Sequence, residues 1–367
     1  MDAVGTTRLY VEVSVSDQGS RIEEGLAWIS AKDPRFTVNG LAWFEENGRE
    51  FLRLPKRAKG VVPDGVWELA TMPTNACVRF KTDSTTLKLR IQHSRPEVAT
   101  ARWCAVGASG IDLYLGPPAR RVYWGSNNQI VSPQPYVSSY FVKLPRKLRE
   151  ITLYLPTYND LVLLEIGLDP RARLAPPSRF RLAKPVLFFG TSVTQGSSTS
   201  RGATGYVPVV GRRLGIDVIN LGFSGSGNSE ASVADLVAEV DLACLVNDCV
   251  ANMREEGMEE RYLAFNETIR ARWPRLPILL MTCFPLAPCI RTEIPAARLR
   301  RRNRLPFLAY RQFRARGDRN VHLLDCRDLK GFAPDHPSVD GVHLNDLGFL
   351  HLADAVTPRL KQILKLT

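Results

Sequence analysis

The feature that most constrains this chain is a change of rhythm near Pro185. Beyond it, short apolar runs alternate with longer stretches of helical period. A run at 186–189 ends in glycine, a helical stretch covers 205–214, and a strand follows at 218–221. A helix near 230–240 leads into a strand at 242–246. The next helix carries Met258, Tyr262, Phe265 and Ile269, spaced four, three and four, which stacks them on one face. A strand at Ile278–Met281, an arginine-rich helix, a strand at Val321–Leu324 and a last helix at about 347–364 complete the pattern. Strands that alternate with helices require right-handed crossovers and so a parallel sheet covered on both faces. Residues 176–367 are therefore expected to form a three-layer α/β/α domain of flavodoxin-like type, with its chemistry at the carboxyl ends of the strands.

Residues 1–175 have a different period. Segments at 78–80, 87–91, 111–115, 151–155 and 161–166 alternate apolar and polar residues. Turn residues punctuate them at 56–63, at Gly116-Pro117-Pro118 and at Ser126-Asn127-Asn128. This spacing predicts an antiparallel β-sandwich, jelly-roll-like. Pro170, Pro176 and Pro177, with Arg171, Arg173 and Arg179, make a polar, helix-breaking connector between the two parts.

A chain of 367 residues with 44% apolar and 23% charged residues can bury two cores. Its apolar runs are too short to span a bilayer, and the first 30 residues mix charges without an apolar stretch of leader type. Seven cysteines without a C-x-x-C pair argue against a disulfide framework and a zinc site. The expectation is a cytoplasmic protein without a membrane partner. Net charge is +12, and ten arginines face only Glu293 and Asp318 between 291 and 319. Such a run either recruits an anionic partner or is a solvated helix face. No nucleic-acid module accompanies it, so the solvated face is preferred and no nucleic-acid partner is expected.

Chemistry is sought at the strand ends. Gly190-Thr191-Ser192 follows the first strand of the second half, where a serine is exposed and its amide opens a helix. Asn220-Leu221-Gly222-Phe223-Ser224-Gly225-Ser226-Gly227 follows the second. A dinucleotide fingerprint fails there, because Glu230 stands at the third glycine position, and the Gly222 amide is the expected oxyanion donor. After the third strand, Asn247 or Asn252 can supply another donor. Asp340-Gly341-Val342-His343 places a carboxylate three residues before a histidine, so one ring nitrogen meets the acid and the other is free to take a serine proton. Of the five histidines, only His343 has an acid at this spacing. A metal reading of Asp335, His336, Asp340, His343 and Asp346 lacks a His-x-His or His-Glu-x-x-His pattern. Cys249 as nucleophile lacks an adjacent acid–histidine pair.

Together these blocks resemble the SGNH (GDSL-like) hydrolase superfamily. Gly190-Thr191-Ser192 is similar to its nucleophile block, with Thr191 where Asp is usual. Gly222 matches the glycine block, and Asp340-Gly341-Val342-His343 the closing Asp-x-x-His block. Asp248-Cys249-Val250-Ala251-Asn252-Met253 resembles the asparagine block of a subgroup with an N-terminal β-domain. Gly110-Ile111-Asp112-Leu113-Tyr114 resembles the Gly-x-Asp-Leu-Tyr signature of that subgroup, as do Leu153-Tyr154-Leu155-Pro156 and Tyr158-Asn159. The resemblance implies ester hydrolysis through an acyl-enzyme: Ser192 attacks, His343 carries the proton, and Asp340 orients His343. The Ser192 and Gly222 amides and the Asn252 side chain (alternatively Asn247) would hold the oxyanion. It implies neither cofactor nor metal, and a small O-acyl ester, acetyl on a carbohydrate included, as substrate. The rival reading is a carbohydrate-binding protein with a degenerate, inactive hydrolase domain. No Gly-x-Ser-x-Gly elbow of the α/β-hydrolase kind occurs.

Overall fold

A computed structural model describes residues 13–15, 20–95, 100–127, 134–292 and 295–367. Asn128 of the expected 126–128 turn, Glu293, and residues 1–12 and 16–19 of the stretch read for a leader lie outside the described residues.

The first half folds into strands β1 (Val13–Ser14), β2 (Arg21–Glu23), β3 (Leu26–Ser30), β4 (Thr37–Asn39), β5 (Cys77–Thr82), β6 (Leu87–Gln92), β7 (Asp112–Leu115), β8 (Val122–Ser126), β9 (Tyr136–Phe141), β10 (Arg149–Tyr154), β11 (Leu163–Leu168) and β12 (Arg173–Ala175). Two short helices, α1 (Asp64–Ala70) and α2 (Ala105–Ser109), interrupt them. One antiparallel sheet runs β1-β12-β5-β10-β7-β8, with β4 also on β5; the other runs β2-β3-β11-β6-β9. Alternation decides which face is core. Ile151 lies opposite Phe80 and Leu115, and Leu153 opposite Val78 and Leu113. They meet Ile29, Leu89 and Ile166 of the second sheet in one fully buried cluster, the sandwich that the alternation predicts.

The opposite face of β7 explains the Gly-x-Asp-Leu-Tyr signature. With a period of two, Leu113 points into the sandwich while Asp112 and Tyr114 point out of it, toward the second half. Asp112 accepts from the Ala203 N–H at 2.8 Å and lies 3.7 Å from Arg201. Tyr114 accepts from Arg201 at 2.7 Å and packs with Cys77, Tyr154 and Ala203. The signature is thus a seam that fixes the loop after the candidate nucleophile.

The second half contains β13 (Val186–Gly190), α3 (Ser192–Gln195), α4 (Tyr206–Leu214), β14 (Val218–Gly222), α5 (Ala231–Glu239), β15 (Cys244–Asp248), α6 (Met258–Arg272), β16 (Ile278–Met281), α7 (Ala296–Ala315), β17 (Val321–Leu324) and α8 (Asp346–Ile363). Its sheet is wholly parallel in the order β14-β13-β15-β16-β17. The apolar runs conceal a two-residue period. Val186, Phe188, Val246 and Leu279 pack under α4 and α8, whereas Leu187, Phe189, Leu245 and Leu280 pack under α5, α6 and α7. Both faces are covered, as a parallel sheet requires. The order reverses at β13, flanked by β14 and β15, so the crevice of the doubly wound fold opens above these three strands. Among the described residues no helix is long and apolar enough to cross a membrane.

The turn expected at 56–63 forms, with a single 3-10 turn at Lys56–Ala58. It is also core: Ala58 and Val62 join Trp43, Leu54, Val66 and Ala70 in the cluster shared with β13, β14 and α5. Buried Arg53 fastens this strap to the second half. It donates to the carbonyls of Met72, Leu69, Asn220 and Gly222 at 2.9, 2.7, 3.1 and 2.6 Å, and stacks over Phe223. Burial pulls its pKa down to about 9, so it remains cationic at neutral pH.

Candidate active site

β13 ends at Gly190, and Thr191 begins α3 as its N-cap. The Thr191 Oγ1 accepts from the Val193 N–H at 3.2 Å, and the Thr194 Oγ1 accepts from the Thr191 N–H at 3.0 Å. This reciprocal cap fixes Ser192 as the first residue of the helix, where its own N–H is one of the donors that helix geometry leaves unused. Thr194 in turn donates to Asp248 at 3.0 Å, and Tyr206 donates to the same carboxylate oxygen at 2.8 Å. Burial pushes Asp248 up to about 6. The nucleophile turn therefore rests on a buried acid that motif reading did not single out for this role.

The Asp340–His343 loop lies across the strand ends. Gly341 adopts φ +87°, a left-handed conformation that glycine takes without strain, and this folds the loop back on itself. Asp340 Oδ1 accepts from the N–H groups of Val342 and His343 at 3.0 and 2.8 Å. Its Oδ2 lies 2.7 Å from His343 Nδ1. Partial burial would raise Asp340, but these hydrogen bonds outweigh it and hold the carboxyl below its ordinary range. On the far side of the ring, His343 Nε2 lies 3.0 Å from Ser192 Oγ. An acid, an imidazole and a hydroxyl thus form one continuous hydrogen-bonded chain.

The expected oxyanion donors separate. Asn252 lies past β15, lines the cavity beside Ser192, and donates to the Phe223 carbonyl at 3.1 Å. Asn247 lies within β15, fully buried, with its amide directed at Asn266 of α6. The assignment of Gly222 requires correction. It is the last residue of β14, and its N–H donates inward to Asn220 Oδ1 at 2.8 Å. A Cβ there would come within 2.3 Å of the Gln195 nitrogen, so glycine is required for packing of α3 on the strand. In the following loop, the N–H of Ser224 donates to Gln195 Oε1, and those of Ser226 and Gly227 to the Phe223 carbonyl. Gly225, three residues past the strand, lines the cavity instead.

The other sequence candidates disperse. His336 bonds to Ser338 and the Pro285 carbonyl, and Asp346 accepts from Ser200 and Thr204. Cys249 is buried against Ser229, and burial pushes its thiol up, away from the reactive thiolate form.

The first half also reaches the site, through Tyr158 of the Tyr158-Asn159 block and through Arg102 and Trp103, which no motif announced. Arg102 lines the cavity, its Nη1 3.4 Å from His343 Nδ1 and 3.7 Å from Asp340 Oδ2. Next to it, Trp103 stacks on Tyr158 with centroids 4.3 Å apart and donates to Ser197 Oγ at 2.7 Å. Tyr158 donates to the Ser192 carbonyl at 3.3 Å. The cavity holds about 320 Å³.

Residues 183–361 match the sequence profile of the GDSL-like lipase/acylhydrolase family, and residues 26–174 match that of the N-terminus of SGNH-hydrolase-type esterases. No curated protein matches the chain. Among solved structures, a Bacteroides ovatus protein described as a GDSL-like lipase is 25% identical, with TM-score 0.81 over 93% of this chain and 99% of its own. A salicylyl-acyltransferase from a tetracycline biosynthetic pathway is 18% identical, with TM-score 0.74 over 94% and 99%. A family two carbohydrate esterase from Cellvibrio japonicus is 13% identical, with TM-score 0.61 over 93% and 98%. At their identities the last two speak for the fold alone.

Proposed function

The chain belongs to the GDSL-like lipase/acylhydrolase family and is an ester hydrolase; from that premise we propose that it is a serine esterase acting through an acyl-enzyme, with Ser192, His343 and Asp340 as its triad. The observation that carries this reading is the unbroken path from Ser192 Oγ through both nitrogens of His343 to Asp340, at 3.0 and 2.7 Å.

Ser192 Oγ attacks the ester carbonyl as its proton passes to His343 Nε2. Asp340, kept ionised by its hydrogen bonds, accepts from Nδ1–H, fixes the tautomer and stabilises the imidazolium. The Ser192 and Gly225 N–H groups and the Asn252 amide receive the oxyanion; Gly225 takes the role first expected of Gly222. His343 returns the proton to the leaving alkoxide. Water, activated by the same imidazole, then attacks the acyl-serine, and collapse of that intermediate releases the acid. No step calls for a metal or cofactor. The cavity at Ser192 suits a small acyl group such as acetyl, on a small-molecule or carbohydrate alcohol. A sugar-gripping module with an inert hydrolase domain would not need this continuous proton path. Cytoplasmic placement and a division into 1–175 and 176–367, with the strap that carries Arg53 packed on the second unit, complete the proposal.

The test is p-nitrophenyl acetate turnover by the wild-type and Ser192→Ala proteins, with mass spectrometry for an acetyl adduct on Ser192. Equal rates in the two proteins would refute it. Exhaustive EDTA treatment should leave the rate unchanged.

A further inference from the structure

The structure sorts the arginine-rich stretch into two sets. Arg298 and Arg301 pair with Glu255 at 2.9 and 2.6 Å, and Arg316 pairs with Glu267 at 2.6 Å. Arg302 spans the carbonyls of Ala251 and Met253 at 2.7 and 2.8 Å, bracing the loop that bears Asn252. Arg300 and Arg304, one turn apart on α7, have no acid partner among the described residues. Both line a groove of about 590 Å³.

That groove shares Cys283, Phe284, Leu286 and Leu299 with the cavity at Ser192, so the two are one continuous crevice. Among the described residues, Arg102 and Arg302 line it near Ser192, and Arg300, Arg304 and Arg327 farther out. Among the described residues, no aspartate or glutamate lines these two cavities. Arg327 is paired with Asp325, at 2.8 and 2.6 Å, and Asp325 is held down to about 2 chiefly by that pairing. Arg300 and Arg304 therefore carry the charge that no described acid pairs with; Glu259 lines the adjoining hollow that Arg304, Phe307 and Arg327 share, without an ion pair to Arg304. Apolar walls with an uncompensated positive outer rim match an amphipathic anion, because the walls bury an apolar spacer while focused positive potential collects the charge. Two guanidinium groups at i and i+4 present forks suited to carboxylate or phosphate oxygens.

We infer that the crevice selects esters whose alcohol part carries a carboxylate or phosphate at the end of an apolar spacer, the anion meeting Arg300 and Arg304. This rests on the proposed role of Ser192. It gives the arginine run a function, where the sequence alone preferred a solvated face.

The experiment compares acetyl esters of ω-hydroxyalkanoates of graded length with those of the matching primary amides. At the best length kcat/KM for the acid should exceed that for the amide by about tenfold, the scale of a charge-assisted pair discounted for exposure. Arg300→Ala with Arg304→Ala should erase most of that ratio. Arg298→Ala with Arg301→Ala, which removes the same charge from the same helix outside the groove, should preserve it. Equal rates on acid and amide at every length, or an equal loss in both double variants, would overturn the inference in favour of a diffuse positive field. A separate arm titrates the Ser192→Ala protein with the free ω-hydroxyalkanoates and their amides. Tighter binding of the acids, lost in the Arg300/Arg304 variant, supports the groove even if Ser192-dependent hydrolysis fails. No difference there overturns the groove while leaving the esterase reading intact.

Discussion

The two halves reach the same crevice by different routes. In the parallel sheet, three strands end side by side at the point where strand order reverses, and each is followed by a short loop. Ser192 stands two residues past β13, Gly225 three past β14 and Asn252 four past β15. The topology itself gathers them. The sandwich has no such focus, since its antiparallel strands end at both edges. It contributes instead through a loop that carries Arg102 and Trp103, and through a strap whose Arg53 holds the end of β14. The comparison teaches that the α/β half supplies the proposed reacting groups, while the sandwich half supplies groups that pack against them.

The largest effect that can break this division lies in the triad. Ser192→Ala and His343→Ala should each lower turnover by on the order of a thousandfold or more, and the double variant should be little worse than either, because the members act as a unit. Additive losses, measured with folding checked by circular dichroism, would separate their roles and end the shared mechanism. Next, Asn252→Ala should cost about a hundredfold in kcat with little change in KM, as expected for a donor used mainly in the transition state. Asn247→Ala should act on stability. The reverse pattern in well-folded proteins would move the oxyanion donor back into β15.

From the other half, Arg53→Met should lower unfolding free energy by about 3 kcal/mol or more, since three buried carbonyls and the partly buried one of Leu69 lose their donor. Urea unfolding measures this, and kcat of the protein that remains folded should change little. A wild-type midpoint would make the strap dispensable. Asp248 offers a pH test. Burial raises it to about 6 in the folded chain, while unfolded it titrates at the ordinary carboxylate value. Between about 4 and about 6 the folded state therefore binds more protons, and stability falls as pH rises, by up to roughly 3 kcal/mol. Asp248→Asn keeps an acceptor for Thr194 and Tyr206, so the loss of stability between pH 4 and pH 7 should shrink; an unchanged slope would mean that Asp248 does not titrate there. The smallest effect is assigned to Arg102→Ala, about tenfold or less in kcat/KM, because its half-exposed guanidinium meets Asp340 only at 3.7 Å. A loss as large as that of Ser192→Ala would place the sandwich within the chemistry.

The alternating runs in both halves are legible because burial of one face imposes a period of two, and the crossovers impose the strand–helix rhythm. The pairing of Asp340 with His343 is legible because it is local. Gly222 shows where reading by motif stops. Its place in a short glycine-rich block suggests an oxyanion donor, yet Gly222 ends β14 with its N–H bonded to Asn220 Oδ1, and the glycine that lines the cavity is Gly225, past the strand. The turn expected at 56–63 is present, but its burial is not legible: its polar residues conceal Ala58 and Val62, and only the partner surface reveals that they are core.

By itself the sequence determined the two folding periods, the parallel sheet, and a set of short blocks whose residue types permit acyl transfer. These follow from local spacing, which the chain carries wherever it folds. The tertiary structure alone decided which glycine faces the cavity, that Arg102 and Arg53 cross from one half to the other, and which arginines of 291–319 line a crevice while others meet Glu255 or Glu267. Those choices depend on contacts between residues far apart in the chain, some separated by more than a hundred positions, and no local period encodes them.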